Sequence, residues 1–307
     1  MRRTSKFKSL ELLEQSQPGI HAESPHAGTL DLDGLKGKIL IEPDHVLWVQ
    51  LGDFIEDETI SLAQLLSVQK EILAPVKFVW QEPSAHIGLV GELPLNGAGS
   101  LDSGFNLLKE GFLHAKLLKK VLLEGQSRMP KGTYCKNGAL STKQAKDLVD
   151  SSLKSKNYEV TEKEKTWLIS LNTVLYFQRI EILLDEMSHY LQLRTTLTNV
   201  PKGNSTGKSA ICAFLLHAAG RLRFVRGIMG SDEKSQRDVV ALEVIVPLKY
   251  INIFRPETAL ESLIVATRYT RLACEALMQE AVAEAYLQRW SGKLKIENNQ
   301  IDNSERR

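Results

Sequence analysis

The residues best placed to do chemistry are nine in a row, Pro201-Lys202-Gly203-Asn204-Ser205-Thr206-Gly207-Lys208-Ser209. They resemble a phosphate-binding loop, in which backbone N–H groups cradle phosphate oxygens, a lysine reaches the terminal phosphates and a serine holds magnesium. The spacing departs from that pattern. GxxxxGK[ST] requires glycine where this chain has Lys202, and Gly203 leaves only three residues before Gly207. The chain that follows is too short for the parallel sheet and magnesium-binding aspartate of a nucleotide hydrolase. The segment therefore reads as a Gly/Ser/Asn hairpin loop. Gly203, Gly207, Lys208 and Ser209 would suit a phosphate or an acidic peptide better than a hydrolysable nucleotide.

Other constellations are thinner. Glu186 and His189 have the Glu-x-x-His spacing of di-metal carboxylate bundles, but such sites need a second pair and further glutamates, which the sequence lacks. On a helix, Asp185 and His189, and likewise Glu110 and His114, are four residues apart and read as surface ion pairs. Cys135, Cys212 and Cys274 are odd in number and far apart, without a CxxC pair, so neither a disulfide framework nor a zinc site is expected. No serine, histidine and aspartate are tied into a nucleophilic set. The expectation is no catalytic residue, no metal and no cofactor.

Two basic clusters could meet nucleic acid. Lys131, Lys136, Lys143, Lys146, Lys154 and Lys156 gather in one polar stretch, while Arg221, Arg223 and Arg226 accompany Leu222 and Val225 in what reads as a strand. Strand alternation would put Arg221 and Arg223 on one face. The competing reading is a hydrated linker and an aggregation-resistant edge. Lys and Arg total 39 against 37 Asp and Glu, a net charge of +2, which does not make a concentrated basic footprint.

The elements that must position these residues form a faint repeat. Ile87-Gly88-Leu89-Val90-Gly91-Glu92-Leu93-Pro94-Leu95 and Val240-Ala241-Leu242-Glu243-Val244-Ile245-Val246-Pro247-Leu248 are both apolar strands ending in Pro-Leu, and each leads into an amphipathic helix, at 101–123 and at 258–277, the latter within a closing helix expected over 258–290. In the first half, 39–41 and 45–51 read as paired strands, 61–73 as a helix stopped by Pro75, and 76–80 with 87–95 as a second hairpin. Residues 142–153 predict a short helix. The spacing of Trp167, Leu171, Val174, Phe177, Ile180, Leu184, Met187 and Leu191 predicts a long spine helix over 162–193, followed by strands at 210–217, 221–228 and 239–251.

The expected class is α+β, in two related halves, each an antiparallel sheet flanked by helices. The expected organisation is a flexible segment 1–28, a first domain 29–125, a lysine-rich linker 126–160, a second domain 161–292 and a disordered tail 293–307.

At 307 residues, 43% hydrophobic and 25% charged, the chain can bury a core in each half. Its basic first eight residues run into Glu11, Glu14 and Gln15 in place of the apolar centre of a secretory signal. No apolar run approaches the ~20 residues of a membrane-spanning helix. A cytoplasmic protein without membrane insertion is expected.

The strand-to-helix stretches 89–123 and 242–277, with their Pro-Leu matches, resemble the small α+β fold of bacterial type III secretion chaperones and their sensory-transduction-like relatives. That resemblance implies a fused pseudo-dimer that holds a segment of another protein without catalysis. Those chaperones are short acidic homodimers, whereas this chain is long and slightly basic. A protein partner is therefore the main expectation. A phosphate- or nucleotide-dependent enzyme using 203–209 and a nucleic-acid-binding accessory protein stand as alternatives.

Overall fold

The computed structural model describes residues 9–291 except 44–45, 56–59, 82–85, 96–100, 125–140, 155, 157, 173–176, 188, 233–236 and 253. Cys135, Lys131, Lys136 and the expected tail 293–307 lie outside the described residues.

The chain folds as one motif used twice. The first copy is α1 (Leu10–Ser16), β1 (Ile20–Ala22), β2 (Ala27–Leu32), β3 (Leu35–Ile41), β4 (Val46–Ile55), α2 (Leu62–Gln69), β5 (Val76–Gln81), β6 (His86–Pro94) and α3 (Leu101–Leu123). The second is α4 (Thr142–Lys154), β7 (Glu159–Lys163), β8 (Thr166–Asn172), β9 (Phe177–Asp185), β10 (Tyr190–Pro201), α5 (Ser205–Ala219), β11 (Arg226–Asp232), β12 (Arg237–Pro247), a 3-10 turn (Leu248–Tyr250) and α6 (Pro256–Ala276). Both read helix, four strands, helix, two strands, helix. The sheet orders match as well, β1-β2-β3-β4-β6-β5 and β7-β8-β9-β10-β12-β11, with every neighbouring pair antiparallel. Pro94 and Pro247 end equivalent strands, where a residue without an N–H can close a ladder. One helix, α7 (Glu280–Ser291), has no described counterpart in the first half.

Local chemistry explains the boundaries. Ser61 Oγ accepts the Gln64 N–H at 3.2 Å while Gln64 Oε1 accepts the Ser61 N–H at 2.8 Å, a reciprocal cap that starts α2. Glycine lets α3 lie close on its sheet, because a Cβ at Gly111 would come within 2.6 Å of Ala74 Cβ and 2.7 Å of Val76 Cγ2. In the second half, α4 buries Ala145, Val149 and Leu153, and Asp150 Oδ1 accepts the Trp167 indole N–H at 2.8 Å. The helix expected at 142–153 is thus joined to the second sheet.

Three expectations from the sequence are corrected. Residues 162–193 are not a helix; they form the end of β7, all of β8 and β9 and the start of β10, with inward side chains at a two-residue step, Trp167 and Ile169, then Ile180, Ile182 and Leu184, then Leu191 and Leu193. Glu164, with a positive φ of 56°, turns the chain between β7 and β8. Residues 210–217 are helix, inside α5, where the apolar run is continuous because the helix packs against strands and helices on several sides. The closing helix 258–290 is two helices, since α6 ends at the cap residue Leu277 and α7 starts at Glu280.

The two halves meet reciprocally. α2 of the first half packs on β11 of the second, α5 of the second packs on β5 of the first, and α2 touches α5. This is the pattern of a two-fold, isologous interface drawn within one chain.

Candidate functional site

The contact between the halves is built from the residues that start β5 and β11. Counting back from the closing prolines, Lys77 lies opposite Val90 and Arg226 opposite Glu243, each four residues before its proline. Lys77 and Arg226 are therefore equivalent, and each crosses to the other half. Lys77 Nζ donates to the Leu222 carbonyl and, at 2.8 Å, to Glu92, whose carboxylate also accepts the Phe224 N–H at 2.6 Å. Arg226 donates to the Ile72 carbonyl at 2.5 Å and grips Glu243 through Nε at 2.9 Å and Nη2 at 2.5 Å. The Arg226 and Glu243 side chains are 3% and 0% exposed. Phe224, bulky and at φ 60°, is held in that unfavourable region by the Glu92 bond and by packing on the Phe254 ring, 4.9 Å away. Gln69, fully buried, donates to the Gly227 carbonyl and accepts the Phe78 N–H.

This placement decides the fate of the arginine cluster. Arg221 and Arg223 precede β11 instead of alternating along it, because the strand starts only at Arg226. Arg221 is exposed in the turn after α5, Arg223 pairs with Glu42 at 2.5 Å, and Arg226 is inside the protein. The three do not share a surface. Trp80, Trp290 and His217 make a further bridge, in which α7 reaches a strand of the first half with ring centroids 4.7 to 6.3 Å apart.

The glycine-rich segment joins β10 to α5. Asn204 caps that helix, its Oδ1 accepting the Gly207 N–H at 2.9 Å while its Nδ2 donates to the Met278 carbonyl at 2.9 Å. Lys208 Nζ sits 2.7 Å from Asp238 Oδ2, on a carboxylate only 9% exposed. Gly203 is open, and Ser209 is half-buried within the helix. The polar groups a phosphate would need at Gly207 and Lys208 are thus already engaged within the protein. Lys208→Ala is expected to cost about 1–2 kcal/mol, because Asp238 loses its partner. Calorimetry with magnesium and ATP or GTP is expected to give no saturable heat for either form. Nucleotide binding that this substitution abolishes would reverse the assignment.

Glu186 and His189 lie in the turn between β9 and β10, not on one helical face. Glu186 pairs with Lys165, which holds its carboxyl below the ordinary range. No group of three or more metal-ligating side chains occurs among the described residues. Burial pushes the Cys274 thiol up to about 12, with Glu275 adding to the shift, so it is not a thiolate nucleophile near neutrality. Burial likewise raises Tyr250 to about 12, its hydroxyl donating to the Ser103 carbonyl at 2.6 Å. Tyr190 is raised by burial and then by Asp185.

The feature that sequence reasoning missed is a trough on the outer face of the second sheet, about 1020 Å³ in volume. Its floor is β8, β9 and β10, and a register shift between Thr196 and Thr198 on β10 marks a bulge of the kind that bends a strand. Leu168, Glu181, Arg194, Glu243 and Arg226 stand in one row across five strands, each opposite the next. From Arg194 a second hollow of about 450 Å³ continues to Lys70, Glu71 and Leu73 beside α2. The signal was the alternation Phe177-Gln178-Arg179-Ile180-Glu181-Ile182, which a helical reading of 162–193 hides.

No protein-family model matches the chain, and neither does any curated protein. Solved structures do. One chain of a structure described as the HopA1–SchA chaperone–effector complex is 15% identical, with a TM-score of 0.31, covering 43% of this chain and 99% of its own. A chain of the ExoT–SpcS complex from Pseudomonas aeruginosa is 14% identical, with a TM-score of 0.26, covering 43% of this chain and 100% of its own. The resemblance to both is weak.

Proposed function

We propose that this chain is a non-enzymatic binding protein, chaperone- or adaptor-like, that holds an extended segment of another protein against the outer face of its second sheet. The observation that carries this reading is the trough itself. Small-molecule sites are concave, mainly apolar pockets that enclose most of the ligand. Here the hollow is an open sheet face walled by polar side chains, a shape that fits an extended backbone. The ionisable groups buried elsewhere support the same reading, because Lys77, Glu92, Arg226 and Glu243 serve the contact between the halves. The thiols of Cys212 and Cys274, both buried, suit a reducing compartment, and we place the protein in the cytoplasm. No helix among the described residues is long and apolar enough to cross a membrane.

The test is affinity purification of the tagged full chain from its own host, with mass analysis of what is bound and absorbance at nucleic-acid wavelengths. The expected result is a protein held in fixed proportion, without nucleotide or nucleic acid. Bound nucleotide lost in Lys208→Ala would favour the enzyme reading. Recovery of the chain alone or with nucleic acid would reject a protein partner.

A further inference from the structure

We infer that the trough takes an extended acidic segment, one with carboxylates at alternate positions and an apolar residue toward Phe177. This rests on the protein-binding reading above and adds the chemistry of the partner.

Some charges around the two hollows are engaged within the protein and others are not. Toward α2 the carboxylates are engaged: Glu243 holds Arg226 and Gln192, Asp185 accepts from the Tyr190 hydroxyl, and Glu71 lies 3.9 Å from Lys70. At the other end Arg271 and Glu275 satisfy each other at 3.0 Å. Between them Arg179, Arg194, Arg237 and Lys163 form no ion pair within 4 Å among the described residues. Only Glu164 and Glu181 oppose these four cations in the lining, which leaves an excess of two positive charges. Guanidinium groups take carboxylates in a bidentate fork, so Arg179, Arg194 and Arg237 on one sheet face favour acidic side chains over basic ones.

Geometry sets the length and the period. Arg194 faces the trough on β10 and Arg237 stands opposite Pro201 at the far end of the same strand, about 23 Å away at a rise of about 3.3 Å per residue. An extended segment of about seven residues spans that distance, and its side chains point at the floor at every second position. Phe177 is 54% exposed at the start of β9, and Leu168 lies on the floor, so the occupant also meets apolar surface. A nucleic-acid strand fits less well, because it would lay phosphates over Glu181 and find a single aromatic ring on which to stack.

The test uses the full chain and a fluorescein-labelled decapeptide of alternating aspartate and valine, followed by fluorescence anisotropy in low salt. Controls are the lysine–valine decapeptide and a ten-residue oligodeoxythymidylate. The acidic peptide is expected to bind saturably and to weaken as salt is added. The double variant Arg179→Ala/Arg194→Ala is expected to lose about tenfold in affinity or more. Both side chains point outward from the sheet, so the melting temperature of that variant is expected to stay near wild type, which separates lost binding from lost fold. Equal binding of the acidic and basic peptides, tighter binding of the oligonucleotide, or an unchanged affinity in the double variant would overturn the inference. If the host purification yields a protein partner that the double variant holds equally well, only the acidic assignment fails. If it yields no protein, the binding reading fails with it.

Discussion

Arg226→Ala is expected to cost about 3–5 kcal/mol, the range for removing one partner of a buried ion pair. Glu243 is fully buried, so the substitution leaves its carboxylate without the guanidinium, with the Gln192 amide as its remaining side-chain hydrogen-bond donor among the described residues, and leaves the Ile72 carbonyl without its charged donor. The loss reaches beyond the second half. Arg226 donates to carbonyls 150 to 154 residues earlier in the chain, so it couples the halves directly. Thermal unfolding is expected to fall by roughly 10 °C. The equivalent change, Lys77→Ala, is expected to act in the same direction through Glu92 and Leu222. Replacing both members, Arg226→Met with Glu243→Leu, is expected to recover at least half of the loss, since a buried pair exchanged for apolar groups is often neutral. Melting within about 2 °C of wild type for Arg226→Ala would mean that the pair is not buried in solution. A double variant less stable than the single would point instead to the backbone contacts as the main term.

Trp167→Ala is expected to cost about 3–5 kcal/mol, as for other buried tryptophans. Trp167 is 1% exposed on the inward face of β8, and its indole N–H fastens α4 to the sheet through Asp150. Leu171, on the same face but half-buried near the strand end, is expected to lose only about half as much on changing to alanine. That ordering separates the two descriptions of this segment, since one helical seam would make Trp167 and Leu171 comparable. Trp167→Phe keeps most of the packing and removes the donor, and is expected to cost about 1–2 kcal/mol. Chemical denaturation measures all three. Equal losses at Trp167 and Leu171 would contradict the strand.

Both experiments bear on segments that sequence patterning treats differently. The equivalent strands were legible because proline carries its own boundary: Pro94 and Pro247 end β6 and β12, and the helix over 101–123 has the range its pattern predicts. The strand pairs at 39–51 and 76–95 follow from alternation and turn residues, which act within a few positions. The stretch 162–193 misled because strands joined by short turns can place large apolar residues three or four apart. The stricter alternation Ile180, Ile182 and Leu184 was the better guide.

The α5 segment misled in the opposite sense. A continuous apolar run cannot be told from a buried strand by periodicity, and the useful signal was the single cap at Asn204. The candidate site was less legible still. Arg221, Arg223 and Arg226 look alike in the chain, yet one is exposed in a turn, one meets Glu42 and one is buried on Glu243.

The amino-acid sequence alone determined the α+β class, the two related halves and the positions where paired strands hand over to helices, because capping, proline geometry and burial periodicity are local. The tertiary structure alone decided which charges hold the halves together and which stand in the trough. A side chain's charge is the same wherever it sits, but its role is set by the groups it meets. For Arg226 these are carbonyls more than a hundred residues away, while for Arg179 and Arg194 no ion-pair partner lies within 4 Å among the described residues.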